Sequence, residues 1–326
     1  TRPFLRGREF LWQEGHTIHA TEEEAREETL RMLEIYADIC ENWLAMPVIK
    51  GDKTEKEKFA GAENTYTIEC MMHDRKALQS GTSHYFGDGF AKAFNITFSD
   101  KENKLRNPHE TSWGMSTRII GGIIMTHGDN NGLVLPPRIA PIQVVVLPIA
   151  AHKPGVTEAA EKVVERLKAA GLRVKGDFSD NSPGWKFAEW EMKGVPLRLE
   201  LGPRDIEAGV CVAARRDNGE KLTVSLDSLE TEVPKLLEAV QQGLFDKAKE
   251  NLEDHTYTAS TVEEVKDVVE NRGGGFIKTM WCGDEACELK MKELAGVSSR
   301  CMPFAQEHLG DTCPVCGRAA KRMVVW

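Results

Sequence analysis

Apolar and polar positions change period along the chain, and each period predicts a different element. In "HATEEEAREETLRMLEIYADICENWLAM" the apolar side chains Leu30, Leu33, Ala37, Cys40 and Leu44 keep a helical spacing. Thr21 followed by Glu24 is a capping box, because hydroxyl and carboxylate satisfy orphan amides at a helix start. "GDKTEKEK" is a charged, exposed connection, whereas "NTYTIECMM" and "AFNITF" alternate and are rich in β-formers, so they predict strands. From "IQVVVLPIA" the texture shifts. A buried strand is followed by a helix in "TEAAEKVVERLKAAG", with Thr157 as cap and Gly171 as stop, and then by a strand in "LRVKGDF". Strand–helix–strand of this length predicts a βαβ unit and a separate α/β domain starting near Ile142. "VPLRLELG" places Val195, Leu197, Leu199 and Leu201 inward, with Arg198 and Glu200 on the other face. "GVCVAARR" and "KLTVSLDSL" add strands, "VPKLLEAVQQGLFDKAKENLED" adds a helix, and a cysteine-bearing unit follows from about Tyr257.

Composition narrows the class. With 326 residues, 41% hydrophobic and 29% charged, the chain can bury two or three ordinary cores. No apolar run reaches the ~18 residues of a spanning helix, so a soluble protein with no membrane partner is expected. The net charge of −9 excludes a basic nucleic-acid coat but not a local positive patch.

Eight cysteines divide into two kinds. Cys40, Cys70 and Cys211 are isolated in apolar surroundings and read as reduced core residues. Cys282, Cys287, Cys313 and Cys316 form C-x4-C and C-x2-C knuckles, which bring four thiolates to one tetrahedral ion. Zinc is the expected metal, and with no base nearby its role is structural. A redox Cys-x-x-Cys pair is the competing reading, and Cys301 reads as an apolar structural thiol.

The first segment, "RPFLRGREFLWQEGH", alternates around Gly7 as two strands joined by a short loop would. Its arginines could clamp a polyphosphate through guanidinium forks, Phe10 could stack on a purine, and Glu14 and His16 could serve a neighbouring pocket. On that segment alone an exposed amphipathic hairpin with ordinary surface arginines is the better reading. "QSGTSHYFG" surrounds His84 with small residues and hydroxyls, and "TSWGMSTRIIGGIIMTHGDNNG" carries Arg118 and then His127-Gly128-Asp129. A lone histidine is more often a satisfied residue than a catalyst. Neither stretch is a Walker loop or a dinucleotide fingerprint.

Together "RPFLRGREFLWQEGH", "EKEKFAGAENTYTIE", "QSGTSHYFG", "SWGMSTRIIGG", "HGDNNGLVLPPRIAPIQVVVLPI" and "GVPLRLELGPRD" resemble prolyl-tRNA synthetases of the archaeal and eukaryote-like type. With the Cys282–Cys316 unit the likeness covers practically the whole chain. It implies a multidomain α/β and α+β protein. Residues 1–141 would be part of a class II catalytic core built on an antiparallel sheet, from motif 2 through motif 3. Residues 142–253 would be an α/β anticodon-binding domain with a mixed sheet, and 254–326 a small α+β zinc-binding C-terminal domain.

The resemblance also implies the chemistry: a ligase that activates L-proline with ATP and Mg²⁺ and transfers it to tRNA(Pro), as a cytoplasmic homodimer. Arg6 and Arg118 would be catalytic. ATP would meet Arg6, Phe10, Gln79, Thr82, Ser116 and Arg118. Proline would meet Trp12, Glu14, His16, Phe59 and His84, with Glu69 supporting the floor. Arg198, Glu200 and Arg204 would read the anticodon, since guanidinium and carboxylate suit base edges in an unstacked loop. A surface ion pair across the strand competes with that reading.

Some family parts are missing. Motif 1, the first strand of motif 2, the upstream Thr-Glu segment and the C-terminal Gly-Arg-Ser-Tyr are not in the sequence, which opens at Thr1 without Met and stops at "MVVW". A chain truncated at both ends, with little exchange activity by itself, is expected. There is too little chain between the motif 2 and motif 3 segments for a large editing insertion. A non-catalytic synthetase-like RNA-binding protein is the alternative, and a bare zinc-bearing interaction module leaves the first 140 or so residues unexplained.

Overall fold

The computed structural model describes residues 2–326; Thr1 lies outside them. The chain begins with a tight turn in which Arg2 and Arg6 exchange backbone hydrogen bonds and Phe4 takes a positive φ of 58°. Strand β1 (Trp12–His19), helix α1 (Glu22–Asp38), β2 (Ile49–Asp52), β3 (Asn64–Met71) and β4 (Ala77–Gly87) follow. Then come α2 (Gly89–Ala93), a small β5 (Phe98–Ser99) and β6 (Leu105–Arg106) ribbon, β7 (His109–Ser116) and α3 (Arg118–His127). The second series is β8 (Val144–Pro148), α4 (Val156–Ala169), β9 (Val174–Gly176), α5 (Pro183–Met192), β10 (Leu197–Leu201) and α6 (Pro203–Glu207). It continues with β11 (Val210–Arg215), β12 (Lys221–Ser225) and α7 (Leu229–Asp254). The last is β13 (Thr256–Thr258), α8 (Val262–Asn271), β14 (Phe276–Trp281), α9 (Glu285–Ala295), β15 (Met302–Pro303) and β16 (Arg322–Val325).

These elements form two compact units. The first takes Thr1–Asn42, Met46–Gly122 and Lys249–Trp326; the second takes Trp43–Ala45 and Ile123–Ala248. In the first unit an antiparallel sheet runs β1-β7-β4-β3-β2-β15. Its last strand comes from the far C-terminal segment, where Met302 and Pro303 pair with Asp52 and Gly51. Helix α1 covers one face. Ser83 donates to the Thr29 carbonyl at 2.7 Å, and the Tyr36 ring lies under Gly81. A three-stranded sheet, β13-β14-β16, holds the cysteine-bearing part around Ile277, Met291 and Val324.

In the second unit the sheet runs β12-β11-β10-β8-β9 and is mixed. β8 is parallel to β9 and β10, while β10, β11 and β12 pair antiparallel. Val144, Val146, Leu197, Leu199 and Leu201 bury completely against Ala160, Leu167 and Val233, as the βαβ reading requires.

Four local expectations are corrected. The opening segment holds one strand, not two. Pro3 lacks an N–H and Phe4 turns left-handed, so residues 2–6 close on themselves and β1 pairs with β7 alone. "AFNITF" is mostly not strand: α2 ends at Ala93 and Asn95 takes φ 56°, a conformation asparagine tolerates. Helix α4 is capped by Gly155 at φ 81°, while the Thr157 hydroxyl donates to the Ala151 carbonyl. Leu30 is 40% exposed, and Ala25 and Thr29 fill the buried face of α1 instead. The Thr21 hydroxyl accepts the Glu24 N–H at 3.2 Å, and Gly171 follows α4 at φ 85°.

Candidate active site

Cross-strand register sorts the side chains of the six-stranded sheet onto its two faces. Residues opposite one another in antiparallel strands point the same way. One row across the sheet is therefore Glu14–Gly114–Thr82–Thr67, and the next is His16–Ser112–His84–Thr65. Trp12 and Ser116 share this face, opposite the one covered by α1. At Gly114 an added Cβ would sit 3.2 Å from the Trp12 ring, which lies over this position.

Gln79 joins the same face by a different device. It is three residues from Thr82, so plain alternation would turn it away. A bulge between Ile68 and Glu69 resets the register, so that Gln79 pairs with Glu69 while Ser80 turns to the other side and bonds Cys70.

His84 is held tightly. Its Nδ1 and the Thr65 hydroxyl are 3.0 Å apart, and Thr65 accepts the Phe59 N–H at 2.9 Å. The Phe59 ring lies against the imidazole, with centroids 4.9 Å apart, and stays half open to solvent. Burial pushes the His84 pKa from 6.5 to about 4, so the ring is neutral. Glu14 and His16 meet at 3.0 Å on the open part of β1. Phe10 and Trp12 pack edge to face and both remain more than half exposed.

Arg118 opens α3, at the positive end of the helix dipole. Its Nε donates to the Leu5 carbonyl at 3.2 Å, and its backbone N–H to the Ser116 hydroxyl at 3.3 Å. Leu5 and Phe4 pack on Gly121, so the opening turn rests on the first turn of α3 and brings Arg6 next to the Arg118 contact. The Arg6 side chain itself is exposed. His127, by contrast, is a core residue: its Nε2 bonds the Leu44 carbonyl at 2.8 Å, and burial lowers its pKa to about 4.

Comparison with known proteins matches three consecutive stretches to family models. Residues 1–127 match the tRNA synthetase class II core domain (G, H, P, S and T), 143–236 the anticodon binding domain, and 262–326 the prolyl-tRNA synthetase C-terminal domain. A proline–tRNA ligase of Lachnospira eligens is 62% identical over the whole chain, and those of Lachnoclostridium phytofermentans and Clostridium novyi are 61% identical. Each match covers 68% of the relative's own length. The chain belongs to the class II prolyl-tRNA synthetase family.

In the part that matches the anticodon binding domain, a cavity of about 530 Å³ is lined by Phe187, Trp190, Arg198, Arg216, Asn218 and Lys221, among others. The Arg198 guanidinium lies 4.2 Å over the Phe187 ring and bonds Glu200 at 2.9 Å, with Lys221 on the same carboxylate at 3.3 Å. The structure thus joins Arg198 and Glu200 in the ion pair that the sequence left as one option. Arg204, on α6, does not line this cavity.

In the synthetase C-terminal domain, the sulfurs of Cys282, Cys287, Cys313 and Cys316 all lie within 4.8 Å of one another. Cys282 and Cys316 are 3.8 Å apart, the spacing that four sulfurs about 2.3 Å from one zinc would have. Arg318 donates to Cys316 and holds its thiol down to about 6, while burial pushes Cys287 up to about 12. Cys301 is buried outside this group.

Sequence reading missed the groups that hold Glu69. This fully buried carboxylate receives Lys53 at 2.8 Å, Arg300 at 2.8 Å and the Thr67 hydroxyl at 2.9 Å. Lys53 lies in "GDKTEKEK", whose charge predicts an exposed connection, yet Lys53 and Thr54 are buried, and Arg300 is 231 residues away from Glu69.

Proposed function

We propose that the chain carries the proline–tRNA ligase chemistry of its family: proline is activated with ATP and transferred to tRNA(Pro). The observation that supports it most is the single sheet face joining Trp12, Glu14, His84, Thr82 and Gln79, beside Arg118 at the start of α3. Arg6 and Arg118 would hold the triphosphate, and Phe10, Gln79, Thr82 and Ser116 the rest of the nucleotide. Phe59 and Trp12 would wall the apolar ring of proline. The Thr65 hydroxyl, already accepting from Phe59, is placed to give its proton to Nδ1 of neutral His84, leaving Nε2–H as a donor toward the substrate. Glu14, backed by His16, would accept from the secondary amine.

In the first step the proline carboxylate oxygen bonds to the α-phosphorus and the bond to pyrophosphate breaks. The arginines stabilise the charge that gathers on phosphate oxygens. Mg²⁺, when bound with ATP, would supply further neutralisation of that charge. In the second step a terminal ribose hydroxyl of tRNA attacks the prolyl carbonyl and AMP leaves. No protein nucleophile is required, so catalysis rests on positioning and electrostatics.

The finer assignments belong to the same proposal. Domains of 1–141, 142–253 and 254–326 are part of it. Arg198, Glu200 and Arg204 would serve anticodon recognition, with the Arg198–Phe187 platform suited to a stacked base. The four thiolates would hold a structural zinc. The subtype would be archaeal- and eukaryote-like, supported by the four-cysteine module, although the relatives compared are bacterial. A cytoplasmic homodimer is the proposed form; among the described residues no helix is long and apolar enough to cross a membrane. The deciding experiment is ATP–pyrophosphate exchange by the full-length protein with each amino acid in turn. Proline alone should support rapid exchange, and exchange with another amino acid instead would refute the reading.

A further inference from the structure

Two buried carboxylates tie the catalytic sheet to the C-terminal segment through neighbouring residues on the same two strands of chain. Glu69 binds Lys53 and Arg300, and Glu288 binds Thr54 at 3.1 Å and Ser299. Lys53 also donates to the Arg300 carbonyl at 2.7 Å, which closes the first of these contacts into a ring. The next two residues after Cys301 pair with β2 as the sixth strand of the sheet. Arg300 thus enters the sheet on a short, doubly fastened segment and delivers both Nε and Nη2 to one oxygen of Glu69.

Glu69 stands at the bulge that turns Gln79 toward the nucleotide side. It is the direct cross-strand partner of Gln79, and its other oxygen takes the Thr67 hydroxyl, whose own cross-strand partner is Thr82. A carboxylate with no exposed surface stays in place only if its charges are matched. We infer that Arg300 is a positioning residue for ATP: by fixing Glu69 it pins the β4 bulge and sets Gln79 and Thr82 for the nucleotide. The C-terminal domain thereby contributes to the active site without touching substrate. This rests on the proposed roles of Gln79 and Thr82, and the assay separates the two failures.

The test is steady-state exchange in the full-length protein, with KM for ATP and for proline measured separately. A wild type that does not exchange with proline overturns the parent reading before any variant is compared. Given wild-type exchange, Arg300→Met should raise the KM for ATP at least ~10-fold while that for proline stays within ~2-fold. Arg300→Lys, which keeps a cation, should recover part of the loss. In a Glu69→Gln background, Arg300→Met should add less than ~2-fold, since both act through one carboxylate. Equal changes in the two KM values, no change for ATP, or full additivity with Glu69→Gln would overturn the inference. If Arg300→Met does not fold, Arg300→Lys and Glu69→Gln carry the same comparison, and the double substitution removes both charges together.

Discussion

Arg118 combines two sources of positive potential, its guanidinium and the N-terminal end of the α3 dipole. Its Nε is occupied by the Leu5 carbonyl, which orients the fork and leaves the remaining nitrogens for a ligand. Arg118→Ala should therefore reduce proline-dependent pyrophosphate exchange at least ~100-fold, the cost of losing a transition-state charge stabiliser. An unchanged rate would remove Arg118 from the site. Lysine should not restore the rate, because it lacks the planar fork. His84 and His127 set a pH dependence of the same sense as that of paired carboxylates, but at less acidic pH. Both have folded pKa values lowered from 6.5 to about 4 by burial. Between those values the unfolded chain binds more protons, so their stabilisation is complete above pH 6.5 and is lost as pH falls toward 4. Each shift corresponds to on the order of 3 kcal/mol. Urea midpoints should fall from pH 7 to pH 5, and His127→Gln should flatten that slope.

Helices and strands obey local rules where their signals are local. Thr21 caps α1 through its hydroxyl, and Thr21→Ala should cost about 1 kcal/mol in a denaturant titration. Gly171→Ala should cost about the same, purely through its positive φ, because no neighbour lies within 4 Å of the added methyl. Neither should alter exchange in the folded protein. The βαβ unit could be read from sequence for the same reason: its valines, its helix and its terminal glycine are neighbours along the chain. Parity in β1, which aligns Trp12, Glu14 and His16, was equally legible. The bulge that turns Gln79 was not, since it exists only in the register of β4 against β3. Gly155, rather than Thr157, starts α4 because a left-handed residue sets the first turn. The end of α1 also departs from pattern, widening to a π-turn over Ile39–Trp43. No simple period announces such a change. The grip of Lys53 and Arg300 on Glu69 had no local signal at all.

At the scale of the whole molecule, Cys282, Cys287 and Cys313 sit within an apolar cluster with Ile277, Met291 and Val324, while Cys316 closes the group from the exposed side. Metal analysis should return one zinc per chain, and Cys313→Ser should abolish it. Chelation should lower the unfolding midpoint by several degrees, because it leaves buried thiols without the ion that joins them. A metal-free protein with unchanged stability would sink the four-cysteine assignment. The sixth strand of the sheet has a consequence for synthesis. Ribosomes deliver Glu69 long before Arg300, and domains generally begin to fold as they emerge. Until residues 300–303 leave the exit tunnel, the nascent sheet lacks its last strand and carries a buried carboxylate short of one cation. Translation that stops before Arg300 would release a product whose β3–β4 bulge still lacks this brace. On the proposed roles of Gln79 and Thr82, the timing of this one contact would make competence for ATP wait for the synthesis of residues 300–303.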